Sequence, residues 1–87
     1  MEEIKKLIEE NQLEEAIQQL DAYIRLHADD DNAWYLRGNA YRKRGNWREA
    51  LNNYLQAIEL NPESPAVSAH RMLMDIMNYR NTENLNP

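Results

Sequence analysis

The chain has 87 residues, no cysteine and a formal net charge of −5. That length sets an expectation of one domain with a modest core, and the lack of thiols excludes disulfide staples and cysteine-ligated metals. The acidic balance argues against general nucleic-acid binding, and no apolar run approaches the roughly 20 residues of a membrane span.

The charge is segregated. Residues 1–31 carry a net −7, residues 32–48 a net +5 with no acid, and residues 49–87 a net −3. The basic stretch leaves room for a local anionic contact. The opening Met1–Lys6 lacks the long apolar core of a secretory signal, so a soluble, cytoplasmic protein is expected.

Five helices are expected in chain order. The first covers about 2–10 and ends at Asn11, a residue that tolerates a left-handed backbone. The second covers about 13–27. Asp29-Asp30-Asp31 follows as a loop-and-cap cluster, favoured by the dipole of the helix it precedes. It lacks the glycine and the spaced ligands of an EF-hand loop. The third helix covers about 32–44 and stops at Gly45, where a left-handed turn is cheap only for glycine. Asn46, with Glu49 three residues on, starts a fourth helix at about 47–60. Pro62 ends it. Ser64-Pro65 opens a fifth at about 65–79, with serine as cap and proline in the first turn. Residues 81–87 read as a polar, irregular tail.

Sliding the chain by 34 residues superposes like on like: Glu15-Ala16-Ile17 falls on Glu49-Ala50-Leu51, Ile24 on Ile58, Leu26 on Leu60, and Asn11 on Gly45. That period belongs to helical hairpin repeats. Trp34, Gly38, Tyr41, Gly45, Ala50, Tyr54, Ala57 and Pro62 also stand at the spacings of the tetratricopeptide signature. Residues 31–64 therefore resemble one complete tetratricopeptide repeat, with Arg37 replacing the usual leucine. The resemblance implies an all-α, right-handed stack of hairpins: a degenerate repeat at 1–30, the full repeat at 31–64 and a capping helix at 65–79, together one domain over 1–80. Gly38, opposite the small Ala50, is expected to let the two helices of the full hairpin approach closely. Tyr23 stands where the family has alanine, and should push the next hairpin away or force local repacking.

Little points to catalysis. His27 and His70 have no partner at ligand spacing, and Ser64 and Ser68 read as a cap and a helix-face residue. With glycine only at 38 and 45, no phosphate cradle can be built. Neither a cofactor nor a metal is expected, and the protein is read as non-enzymatic.

The resemblance implies a concave groove lined by the first helix of each hairpin, here Asn32, Tyr35, Asn39, Arg42 and Lys43. Spacings of three, four and seven put Tyr35, Asn39 and Arg42 on one helical face. Asn39 can donate and accept, and the neighbouring cations favour an acidic peptide or a C-terminal segment of another protein. The last helix is the second candidate contact. Its apolar residues, including Met72, Leu73, Met74, Ile76 and Met77, run around about two-thirds of its circumference, where a stripe of roughly 100° serves a helix packed on one side. A further cover is expected: the returning tail through Leu85, a second copy in a homodimer, or a partner protein. Self-association through this helix is the alternative to groove binding.

Overall fold

The computed structural model describes residues 1–85, with side chains described through Tyr79. Among the described residues there are five helices and no strand: α1 (Glu2–Glu9), α2 (Leu13–Leu26), α3 (Asp31–Arg44), α4 (Trp47–Leu60) and α5 (Ala66–Leu85). α5 continues past the expected end at 79, because neither proline nor glycine interrupts the chain before Pro87. Residues 86–87 of the expected tail, and the side chain of Leu85, lie outside the described set.

The turns form for local reasons. Gly45 has φ 95°, a left-handed cap on α3, and Asn11 repeats this at φ 63° after α1. Asp30 caps α3, its Oδ1 accepting from the Asn32 backbone N–H at 3.0 Å. The Asn46 side chain accepts from Glu49 N–H at 3.3 Å, and Ser64 Oγ accepts from Ala66 N–H at 3.0 Å.

Each helix packs on the next, so α1–α2 and α3–α4 form hairpins and α5 rests on α4. One apolar cluster joins α1, α2 and α3 through Ile4, Ile8, Leu20, Ile24, Leu36 and neighbours. A second joins α4 and α5 through Ala50, Tyr54, Ala57, Ala66 and Leu73. Trp34, Tyr35 and Tyr41 of α3 pack against both, so α3 is the spine of the stack. A Cβ at Gly38 would meet the Tyr54 ring first and then the Ala50 carbonyl, so the glycine makes room for that ring.

Tyr23 is tied to the turn that leads into α3. Its hydroxyl donates to Asp30 Oδ2 at 2.7 Å and its ring stacks on His27, with centroids 4.4 Å apart. Asp30 thus serves both α3, as cap, and α2, as acceptor.

α5 is not a simple continuation of the repeat. In α3 the buried positions that face α2 are Ala33, Leu36 and Ala40. One period on, these fall on Val67, His70 and Met74, which are only half-buried; the buried residues of α5 are Ala66 and Leu73. The helix has turned by about one residue, roughly 100°. Met72, Ile76 and Tyr79 are 63%, 44% and 66% exposed, the last two standing one period after Arg42 and Gly45, which are exposed as well.

Candidate functional site

Two of the four cations of α3 are counter-charges to acids of α2. Arg37 reaches Asp21 of α2 at 3.1 Å and lies 5.6 Å from the Trp34 ring centre and 5.9 Å from that of Tyr41. Arg44 pairs with Glu14 at 3.1 Å. Lys43 Nζ donates to the carbonyl of Ile8 at 2.9 Å, at the end of α1. The acidic first repeat and the basic third helix therefore attract one another across the seam between them.

Lys43 is consequently turned from the groove. Asn32 is not on its walls either, since it sits in the first turn of α3 beside the Asp30 cap. Tyr35, Asn39 and Arg42 do come together. They form one wall of a groove of about 350 Å³, whose other wall is Pro65, Ser68, Ala69, Met72, Leu73 and Ile76. The two regions expected to be separate contacts thus face each other across one cleft. Of the five apolar residues singled out on α5, Met72 and Ile76 are exposed in this groove, and Leu73 is 2% exposed at its floor. Met77 packs against the core and Met74 is half-buried outside the groove lining.

Beneath the α3 wall lies Tyr54 of α4, fully buried. Its hydroxyl donates to Asn39 Oδ1 at 2.6 Å and accepts from Arg42 Nε at 3.2 Å. Arginine has no acceptor, so Arg42 is the donor of its pair with Tyr54. Asn39 then has its carbonyl directed at Tyr54 and its NH2 turned away from it. One lone pair of that carbonyl and both N–H groups remain for other partners. Burial pushes the Tyr54 hydroxyl above the ordinary tyrosine range, while the Arg42 hydrogen bond and charge oppose the rise. The Tyr35 ring leans over Tyr54 with centroids 6.1 Å apart.

On the other side of Tyr35 and Asn39 a shallower depression is lined by Glu2, Lys5, Ile8, Glu9 and Leu36. Glu2 and Lys5 pair there at 3.5 Å. No α1 residue was expected in the groove, because the first repeat lacks the family's marker residues. Tyr54 was legible as a core aromatic, but its hydroxyl carried no sequence signal of its own. Among the described residues no group of three or more His, Asp or Glu side chains could hold a metal ion, and no helix is long and apolar enough to cross a membrane.

This geometry agrees with what the chain is similar to. The tetratricopeptide repeat family model matches residues 32–64. Superkiller complex protein 3 of Homo sapiens is 42% identical over 50 residues, and its Mus musculus counterpart is 40% identical over 50 residues, in each case 58% of this chain. The chain spans only 3% of the length of those curated relatives. The solution NMR structure of Bacteroides fragilis protein BF1650 superposes with a TM-score of 0.84 at 51% identity, covering 90% of this chain and 80% of that one. The chain belongs to the tetratricopeptide repeat family, whose members are generally protein–protein interaction modules.

Proposed function

We propose that this protein is a non-catalytic module that holds a segment of another protein in the groove between α3 and α5. The carrying observation is the shared cleft. Tyr35, Asn39 and Arg42 supply aromatic and polar contacts on one wall, and exposed Met72 and Ile76 supply apolar area on the other. Methionine adapts its shape to a bound side chain. The matching ligand is an acidic segment with a large apolar side chain beside its carboxylate. The reading places the module in the cytoplasm, where a chain without disulfides is at no disadvantage.

A random octapeptide library selected on the wild type tests this. Enriched peptides should shift the backbone amide resonances of residues 35–42 and 68–76, and should lose binding to Met72→Glu. Peptides that bind Met72→Glu as well as wild type would remove the groove from consideration. Self-association is the second reading, favoured by the exposure of Met72, Ile76 and Tyr79 along one helix. Sedimentation equilibrium across a concentration series decides it: a monomer throughout ends it.

A further inference from the structure

We infer that α5 packs antiparallel on α5 of a second copy of this chain, about a two-fold axis level with residue 74. The inference rests on the self-association reading above and supplies its register.

Ala69, Met72, Ile76 and Tyr79 follow one another at intervals of three, four and three residues, the spacing of a seam between paired helices. Met72, Ile76 and Tyr79 are exposed and Ala69 is half-buried. In a two-fold contact, a residue that meets another on the second copy is met by it in return. Antiparallel pairing about residue 74 does this with complementary sizes. Met72 faces Ile76 of the second copy, and Ala69 faces its Tyr79, so the smallest side chain of the seam receives the largest. A parallel pair would set Tyr79 on Tyr79 and Ala69 on Ala69, one layer crowded and one hollow.

Charge agrees with this register. Arg71 and Asp75 are the only formally charged side chains between Ala66 and Tyr79, and both are exposed. At 100° per residue they flank the seam on one side. They are not paired with each other, and a cation four residues before an acid is the weaker order within a helix. In the antiparallel pair each Arg71 lies beside Asp75 of the other copy, once on either side of the axis. Met72 and Ile76 also line the groove, so pairing and the capture of a segment draw on the same side chains.

Sedimentation equilibrium of the full chain tests this, with circular dichroism to confirm that each variant is folded. Wild type should form a dimer with rising concentration. Arg71→Glu and Asp75→Arg should each weaken it by about tenfold in Kd, two exposed ion pairs being exchanged for two repulsions. An equimolar mixture of the two variants should recover the wild-type Kd, because each chain then carries the charges that complement the other. Neither residue lines the groove, so both variants leave its walls intact. A wild type that stays monomeric removes the inference together with the self-association reading, and the groove reading stands. A dimer that neither variant weakens, or a mixture as weak as its components, overturns the register while self-association stands.

Discussion

The Tyr54 ring occupies the space that a side chain at Gly38 would need: a Cβ built there lies 2.5 Å from Tyr54 Cε1 and 2.6 Å from Cδ1. The ring is fully buried and held at its hydroxyl, so it cannot swing aside. Gly38→Ala should therefore destabilise the protein by about 1–3 kcal/mol, overpacking outweighing the roughly 1 kcal/mol by which alanine is the better helix former. Urea unfolding followed by circular dichroism measures this. A variant more stable than wild type would mean that the hairpin can open at no cost.

Gly45 presents the opposite case. Nothing lies within 4 Å of its would-be Cβ, but its φ is +95°. Gly45→Ala should cost about 1 kcal/mol through the backbone alone. Gly45→Asn should cost less, since Asn11 already adopts φ 63° in the first repeat. Equal melting temperatures for the two variants would contradict a conformational origin.

How much of this was legible in the sequence follows from the same residues. Gly38, Gly45, Asn46 and Ser64 act where they stand, through spacing and local backbone, and a linear pattern carries that information. The groove does not have this property. Its far wall is the face of α5 left open once Ala66 and Leu73 pack on α4. Lys43 shows the same limit, because its bond to the Ile8 carbonyl links residues far apart in the chain.

Lys43→Met should accordingly loosen α1 without touching ligand capture. The lost interaction is a charged hydrogen bond at a half-exposed site, worth about 1 kcal/mol. Amide hydrogen exchange in α1 should accelerate several-fold, while peptides selected for the groove keep their Kd. A fall in peptide affinity comparable to that of Met72→Glu would return Lys43 to the groove.

Arg37 stands where the family has leucine, and Asp21 is its counter-charge at 3.1 Å. Arg37→Leu alone strands Asp21 against apolar surface, and should cost up to about 1 kcal/mol given the partial exposure of the carboxylate. Asp21→Leu together with Arg37→Leu removes both charges and should restore most of that loss, as paired replacement of buried ions commonly does. A double variant less stable than the single one would show that Asp21 stabilises the fold through something other than its pairing with Arg37.

Alkaline pH should act on the fold through Tyr54. Burial raises its pKa above the ordinary 10.0 of an unfolded tyrosine. Between those two values the native state keeps a proton that the unfolded state has released, so stability falls as pH rises through the interval. Below about pH 10 the contribution is fully present. Tyr23 shifts in the same direction for a different reason, its hydroxyl donating to the Asp30 carboxylate. Phenolate absorbance should resolve the two. Tyr54→Phe should remove a late-titrating component and flatten the alkaline fall in urea midpoint. Tyr23→Phe should remove a late component at the surface and leave more of that fall in place. Alkaline loss of stability undiminished in Tyr54→Phe would show that another group governs it.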